Sequence, residues 1–276
     1  MNLIIQGTEV VTTDLKHLAK LTGATAIESI TPNAFRLIGA NANPEVAPFC
    51  EQNKLDHALV AAGRKLGDFR LVVMDMDSTL ITIESIDEIA DFMGLKAQVA
   101  EITAAGMRGE IDFKESLRRR VDMLEGADEN MLMRVYEERL RPSPGADQLL
   151  ARLREFGIKT LLVSGGFIFF TDRLAQRLGL DYAHSNTLEI IDGRLTGRVL
   201  GEIVDGDGKR KELLRVRDEL GLRKEQIIGI GDGANDLKFM AECGVSIAYH
   251  AKPVVRTQAT YALNYVGLDG VLNLFK

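Results

Sequence analysis

Cysteine is scarce in this sequence, with Cys50 and Cys243 as the only two thiols in 276 residues. Two isolated cysteines argue against a structural disulfide and are typical of a reducing compartment. The chain also has no CxxC motif and no histidine-rich cluster, so the usual signature of a zinc site is missing. We therefore expect a cytoplasmic protein that depends on neither disulfides nor zinc.

Long apolar runs and an excess of positive charge are also absent. No stretch approaches the roughly 18 consecutive apolar residues of a membrane span, and the opening residues lack the basic start and apolar core of a secretory signal. The formal net charge is −6, so the basic face expected of a nucleic-acid-binding protein is missing. With 46% hydrophobic and 27% charged residues, the chain has the composition of a soluble globular protein. We expect neither a membrane nor a nucleic acid as partner.

Residues 1–66 have the pattern of a small N-terminal α/β domain. NLIIQG (2–7) and AFRLIGA (34–40) are predicted strands, and TTDLKHLAKLTG (12–23) is a predicted helix. A second amphipathic stretch covers residues 44–62. This part of the chain shows no cluster of residues suited to catalysis.

The pattern changes in residues 67–276, where short apolar runs alternate with amphipathic helical segments. Such runs are typical of buried parallel strands, which lack polar alternation; they are LVVMD (71–75), KTLLVS (159–164), QIIGIGD (226–232) and VSIAY (245–249). Alternation of strands and helices predicts an α/β fold with a doubly wound sheet.

Two segments depart from this alternation. Residues 84–140 are helical in pattern throughout, which predicts a helical insertion after the first strand of the sheet. Residues 186–200 contain Asp-Gly between two β-like runs, which is a hairpin signal.

Polar motifs follow three of the predicted strands. They are Asp75-Met76-Asp77-Ser78-Thr79, Ser164-Gly165-Gly166 and Gly231-Asp232-Gly233-Ala234-Asn235-Asp236. Each motif alone has a structural explanation, as a turn or a helix cap. Because ligands of open α/β sheets bind at the carboxyl ends of strands, the three motifs together predict one binding site.

The residue types of these motifs suit phosphate chemistry. Asp75, Asp77 and Asp232 supply the oxygen ligands that Mg²⁺ prefers, and a Ser-Gly-Gly turn can offer N–H donors to a phosphate. One aspartate could attack phosphorus while the other moves protons. Lys209 could neutralise the transferring group, although its local sequence alone favours a solvated surface lysine.

Together, DMDST, SGG, Lys209 and GDGAND resemble the haloacid-dehalogenase (HAD) superfamily of aspartyl-phosphate enzymes, over residues 70–276. More narrowly, the chain is similar to the branch that hydrolyses phosphoserine. The resemblance implies a HAD-like, Rossmann-like doubly wound sheet with a helical cap at about residues 84–140. It also implies Mg²⁺ as cofactor and the hydrolysis of O-phospho-L-serine to L-serine and phosphate, the last step of serine biosynthesis.

The resemblance assigns roles to the motif residues. Asp75 corresponds to the nucleophile and a metal ligand, and Asp77 to the proton donor, whose main-chain carbonyl also meets the metal. Asp232 corresponds to the third metal ligand, supported by Asp236. The phosphoryl group or substrate is contacted by residues at the positions of Ser164, Gly165, Lys209 and Asn235.

The cap carries the residues that distinguish phosphoserine enzymes from their relatives. Glu84 matches the acid that binds the substrate ammonium, and Arg120 matches the arginine that binds the substrate carboxylate. Met107 and Phe113 match apolar residues beside that pocket. From the residues alone, both charged side chains also fit a solvated helix face, and Arg118 or Arg119 could take the place of Arg120.

Other interpretations of the sequence differ in substrate or in function. A related HAD phosphatase or phosphotransferase would act on another small phosphorylated metabolite. A response-regulator-like module would hold a phosphoaspartate as a signal, but Asp77 beside the nucleophile and the long insertion favour turnover. Residues 1–66 resemble the ferredoxin-like, ACT-type domains that precede this catalytic module in some relatives, and a homodimer is a further prediction.

Overall fold

The computed structural model describes residues 1–275, with the exception of the Met107 side chain. The chain divides into two compact units, and each unit is made of several segments. The first unit comprises Met1–Val72, Ser143–Lys159 and Leu222–Lys276, and the second comprises Val73–Pro142 and Thr160–Gly221. Among the described residues, no helix combines the length and the apolar character needed to cross a membrane.

Strands and helices are interspersed along the chain, and several helices follow one another after the fifth strand. The strands are β1 (Asn2–Gly7), β2 (Ala26–Thr31), β3 (Ala34–Ile38), β4 (Leu55–Val60), β5 (Leu71–Met74), β6 (Lys159–Phe167), β7 (Tyr182–Ile191), β8 (Arg194–Leu200), β9 (Ile227–Gly231), β10 (Val245–Tyr249) and β11 (Tyr261–Leu263). The helices are α1 (Thr12–Thr22), α2 (Val46–Gln52), α3 (Ser85–Phe92), α4 (Lys96–Met107), α5 (Phe113–Asp122), α6 (Asn130–Arg134), α7 (Ala146–Glu155), α8 (Ile168–Leu178), α9 (Gly206–Glu219), α10 (Leu237–Met240) and α11 (Pro253–Arg256).

The N-terminal part of the first unit has the connectivity β1-α1-β2-β3-α2-β4. Its strands form an antiparallel sheet in the order β2-β3-β1-β4, which is the ferredoxin-like arrangement that was predicted. Both helices contribute to the core of this sheet through Leu15, Leu18, Val46 and Cys50. The amphipathic stretch 44–62 is divided, because α2 ends at Gln52 and the following residues pair with β1 as strand β4.

The second sheet has the strand order β11-β10-β9-β5-β6-β7-β8. The pairs β10–β11, β9–β10 and β6–β7 are parallel, and β7–β8 is an antiparallel hairpin. Asp192 and Gly193 at the hairpin turn both have positive φ, of 49° and 75°, as a tight two-residue turn requires. The predicted parallel α/β sheet and its hairpin are therefore confirmed.

Helices α3 to α6 occupy the stretch of the second unit between β5 and residue 142, so the predicted helical insertion is confirmed. Its C-terminal part is bound to the β7–β8 hairpin by main-chain hydrogen bonds. The N–H of Gly126 donates to the Leu195 carbonyl over 2.8 Å, and the N–H of Leu195 donates to the Ala127 carbonyl over 2.9 Å. The N–H of Glu129 donates to the Gly193 carbonyl over 2.9 Å. The hairpin therefore anchors one end of the insertion.

Within the first unit, a buried carboxylate joins the ferredoxin-like sheet to the C-terminal segment. Asp56 on β4 is 2% exposed. Its two oxygens accept the main-chain N–H groups of Asn264, Tyr265 and Val266 over 2.6, 2.9 and 3.2 Å. Burial raises the pKa of Asp56, and these three donors oppose the increase. The N-terminal sheet is therefore fixed by a specific polar contact and not by apolar packing alone.

We expect Asp56→Ala to lower the free energy of unfolding by about 3 kcal/mol, because three N–H groups lose their buried acceptor. Chemical denaturation of the purified variant measures this loss. Glu9→Ala, which removes an exposed carboxylate, is the matched control and should leave the stability unchanged. Equal unfolding free energies for Asp56→Ala and the control would contradict the role given to Asp56.

Candidate active site

Strand β5 is followed directly by Asp75, which is buried like the four apolar residues of the strand. The Lys209 Nζ atom lies 2.7 Å from Asp75 Oδ1, and the Lys209 side chain is 0% exposed. The Met76 N–H donates to the same oxygen over 2.7 Å. Burying a carboxylate is costly unless a cation or hydrogen-bond donors meet it, so these two groups offset the cost.

Lys209 is placed by the beginning of helix α9. Asp205 caps this helix by accepting the Gly208 N–H over 2.9 Å, and its carbonyl accepts the Lys209 N–H over 2.8 Å. Lys114 of helix α5 lies 3.4 Å from the second oxygen of Asp205. Because Lys209 is fully buried against Asp75, the interpretation as a solvated surface lysine is wrong.

Asp77 lies in a turn in which the next residue, Ser78, has a left-handed φ of 55°. Asp77 Oδ1 accepts the N–H of Ser85, the first residue of helix α3, over 2.7 Å. Asp77 Oδ2 accepts the hydroxyl of Ser164 over 3.5 Å. The second aspartate of the motif is therefore bound by the insertion and by the end of β6.

The surroundings of Asp77 suit a group that gains and loses a proton. Burial raises the pKa of Asp77 to about 7, and the negative charge of Glu84 adds to the increase. The hydrogen bonds from Ser85 and the positive charge of Lys209 oppose it. A carboxyl group with a pKa near neutrality can serve as acid and then as base at physiological pH.

The Ser164–Gly166 segment lies directly against Asp77. Ser164 is fully buried, and its hydroxyl accepts the Gly166 N–H over 2.8 Å. A Cβ atom on Gly166 would lie 2.8 Å from Asp77 Oδ2, and one on Gly165 would lie 2.8 Å from the Phe113 ring. A side chain at either position would clash with these neighbours, so both positions require glycine.

Glu84 precedes helix α3 and is exposed, and its Oε1 atom accepts the Ser78 hydroxyl over 2.7 Å. This hydrogen bond connects the acid to the turn that carries Asp77. Glu84 is also the charged neighbour that most raises the pKa of Asp77. The structure therefore brings this predicted substrate-binding residue close to the predicted proton donor.

Among the three consecutive arginines of helix α5, Arg120 is buried while Arg118 and Arg119 are exposed. Arg119 donates to Glu115 over 2.7 Å, whereas the Arg120 Nε atom donates to the Ser116 carbonyl over 3.3 Å. Burial lowers the pKa of Arg120. The negative charges of three acids oppose that effect, those of Asp87, Glu84 and Asp77. Arg120 is therefore the arginine that faces the acidic residues of the site.

The remaining predicted residues lie in the first unit, in the turn after β9. Asp236 is fully buried and accepts the N–H groups of Asp232 and Gly233 over 3.1 and 3.0 Å, so it holds this turn. Asn235 lies in the same turn and is partly buried. Asp232 and Asp236 are thus two acidic residues of one turn within the first unit. Their carboxylate oxygens are the ligand type that Mg²⁺ prefers.

Two predictions concern residues beside the pocket. Phe113 lies next to Gly165, and its place beside the Arg120 pocket stays a prediction. The Met107 side chain lies outside the described residues. No motif of the sequence pointed to Asp87 or Asn186. Asp87 follows Glu84 by one helical turn, and its buried Oδ1 atom lacks a hydrogen-bond partner among the described residues. Asn186 belongs to no motif, because it lies inside strand β7.

Comparisons with known proteins agree with this geometry. Residues 72–241 match the family model of the haloacid dehalogenase-like hydrolases. Residues 3–46 match a domain of unknown function, DUF4072. The catalytic and N-terminal parts of the chain are therefore covered by separate models.

Individual relatives specify the family further. A phosphoserine phosphatase of Polaromonas sp. is 56% identical over 217 residues, which are 77% of this chain and 92% of the relative. The crystal structure of a HAD family hydrolase from Salmonella enterica serovar Typhi is 32% identical, with a TM-score of 0.89 over 100% of this chain and 98% of that chain. A structure described as a phospho-aspartyl intermediate analogue of phosphoserine phosphatase is 35% identical, with a TM-score of 0.71 over 75% of this chain and 99% of that chain. The chain therefore belongs to the haloacid dehalogenase-like hydrolases, and within them to the family of the phosphoserine phosphatases.

Proposed function

We propose that the chain hydrolyses O-phospho-L-serine to L-serine and phosphate through an aspartyl-phosphate intermediate. The observation that carries this proposal is the composition of the second unit's site. It combines a buried Asp75–Lys209 pair, a neighbouring acid with a raised pKa, and two side chains of opposite charge, Glu84 and Arg120. The names of the relatives support the same substrate.

The two aspartates divide the chemistry. A carboxylate oxygen of Asp75 attacks phosphorus, and the bond between phosphorus and the serine oxygen breaks. Asp77 donates its proton to that oxygen, so serine leaves as the neutral alcohol. Water then attacks the phosphoaspartate, Asp77 takes a proton from the water, and phosphate leaves with Asp75 restored. The environment of each aspartate favours its role, since Asp75 meets a cation and the pKa of Asp77 is about 7.

The chain offers a set of oxygen ligands that fits Mg²⁺. We assign the carboxylates of Asp75 and Asp232 and the main-chain carbonyl of Asp77 as its ligands, with Asp236 holding the turn of Asp232. When bound, the metal supplies positive charge against the phosphoryl oxygens. Lys209 supplies a second, fixed positive charge next to Asp75.

Each charged group of the substrate is bound by side chains of opposite charge or by hydrogen-bond donors. Phosphoserine carries an ammonium, a carboxylate and a phosphate group. Glu84 suits the ammonium, and the planar guanidinium of Arg120 suits the carboxylate. The phosphoryl oxygens would be bound by the remaining polar residues of the site, Ser164, Gly165, Lys209 and Asn235.

The two buried free cysteines support the proposal of a cytoplasmic enzyme, because a reducing compartment keeps thiols unpaired. The catalytic domain is proposed to span residues 67–276, with residues 84–140 as its cap and residues 1–66 as an ACT-like domain. Assembly into a homodimer stays a prediction.

A panel of phosphate esters tests the substrate. We expect Mg²⁺-dependent phosphate release to be fastest from O-phospho-L-serine. Phosphoethanolamine lacks the carboxylate and phosphoglycolate lacks the ammonium, so each should lose about 10- to 100-fold in kcat/KM. Chelation of the metal should abolish release from every ester. Equal kcat/KM values across the panel would contradict a serine-specific pocket.

The Asp75→Asn variant is the control for this panel. It keeps the size of the side chain but removes the nucleophile and the charge that faces Lys209. We therefore expect a less stable protein that circular dichroism still shows to be folded and that releases no phosphate from any ester. Substantial turnover by this variant would exclude the aspartyl-phosphate route.

Replacing Arg120 by Ala should raise KM for phosphoserine about 10- to 100-fold, because the substrate carboxylate loses a charged hydrogen-bond partner. The KM values for phosphoethanolamine and p-nitrophenyl phosphate, which have no such carboxylate, should stay close to those of the unchanged protein. Arg119→Ala is the matched control, since Arg119 is exposed and pairs with Glu115. A parallel increase of KM for all three esters would show that Arg120 supports the fold and does not recognise serine.

The raised pKa of Asp77 predicts a pH-dependent effect on the stability of the metal-free protein. The folded state holds the Asp77 proton up to a pH of about 7, whereas the unfolded state releases it near 3.8. The ionised carboxylate therefore destabilises the fold increasingly as pH rises through this window. We expect Asp77→Asn to raise the thermal midpoint, by little near pH 4 and by most above pH 7. A gain that is independent of pH, measured by calorimetry, would contradict the assigned pKa.

A further inference from the structure

The parallel pairing of β6 with β7 is interrupted beside the Ser164–Gly166 segment. Val163 pairs with His184, and the next pair is Phe167 with Asn186, so β6 advances four residues while β7 advances two. A strand with extra residues bulges out of the ladder and leaves main-chain groups without their usual partners. This bulge turns the segment toward Asp77, and it requires another way to fix the segment's peptide groups.

The side chain of Asn186 fills the gap in the ladder. Its Nδ2 atom donates to the Gly165 carbonyl over 2.8 Å, and the residue is 2% exposed. The amide thus replaces a main-chain donor of β7. Because the bond holds the carbonyl of Gly165, it also fixes the orientation of the Gly165–Gly166 peptide.

The oxygen atom of the same amide accepts a hydrogen bond from the segment that leads into helix α9. Asn186 Oδ1 accepts the Val204 N–H over 2.8 Å. Val204 directly precedes Asp205, the residue that caps the helix carrying Lys209. One buried side chain therefore connects the two segments that hold the phosphoryl-binding groups, and both of its hydrogen bonds are short.

We propose that Asn186 is a positioning residue for the phosphoryl group, acting through Gly165 and Lys209. A donor and an acceptor are both needed at this site, which an amide supplies and an aspartate or leucine does not. The inference rests only on the phosphatase part of the proposed function and does not depend on serine recognition. Losing either bond should loosen the phosphoryl site while leaving Glu84 and Arg120 in place.

Two variants separate positioning from folding. Asn186→Asp keeps the acceptor for Val204 but loses the donor to Gly165, and Asn186→Leu loses both. The matched control is Thr160→Val at the opposite end of the same strand pair. Thr160 is 3% exposed, and its hydroxyl makes two hydrogen bonds with Asp181, of 3.1 and 3.0 Å. The control therefore removes two hydrogen bonds of a buried side chain without touching the site.

The measurements are kcat with p-nitrophenyl phosphate in Mg²⁺ and the inhibition constants of inorganic phosphate and of L-serine. We expect Asn186→Asp to lower kcat and to weaken phosphate binding about tenfold or more, since small displacements of positioned groups are costly in catalysis. Asn186→Leu should show at least the same losses. L-serine inhibition should be unchanged, and Thr160→Val should change none of the three values.

The proposal is overturned if Asn186→Asp matches Thr160→Val in kcat and phosphate inhibition, or if its phosphate and serine inhibition weaken together. If Asn186→Leu does not fold, Asn186→Asp still tests the proposal, because aspartate has nearly the same shape as asparagine. Failure of the proposed function would appear differently, as absence of serine inhibition in the unchanged protein, and the phosphate measurements would still test Asn186.

Discussion

The buried ion pair between Asp75 and Lys209 is the interaction on which the rest of the second unit depends. Either charge alone would be strongly unfavourable at this depth, because removing one partner of a buried pair leaves the other uncompensated. The pair forms only if β5 ends where it does and α9 begins where it does. Asp205 fixes the beginning of the helix, and the apolar strand fixes the aspartate. The position of the end of β5 relative to the beginning of α9 is therefore needed for stability as well as for catalysis.

The same placement makes two similar residues chemically different. Asp75 lies against a cation, while Asp77, two residues later, lies near a second carboxylate, and burial raises its pKa to about 7. The left-handed Ser78 turns the chain between the motif and helix α3, which brings Glu84 back toward Asp77. A short motif at the end of one strand can thus supply both an anionic nucleophile and a group that holds a proton near neutral pH.

Much of this arrangement could be predicted, because local rules dictate it. An apolar run followed by Asp75 predicts a buried strand end, and Asp-Gly predicts the β7–β8 turn that the structure contains. Strand β4 was not recognised, since its alternating residues continue an amphipathic pattern begun in α2 and only pairing with β1 makes them a strand. Asn186 could not be found for a related reason. Its importance arises from a bulge in the neighbouring strand, and no pattern within β7 reports it.

The arginines of helix α5 show where sequence reasoning could have gone further. Successive residues of a helix differ by about 100°, so three consecutive arginines point in three directions. Leu117 and Val121 mark the buried face of this helix, and Arg120 lies between them on that face, together with Ser116. An arginine is rarely buried without a partner, yet the contact of Arg120 within the described residues is to a main-chain carbonyl, with acids only at longer range. A guanidinium held on the buried face in this way fits the role proposed for Arg120, which is to bind the substrate carboxylate.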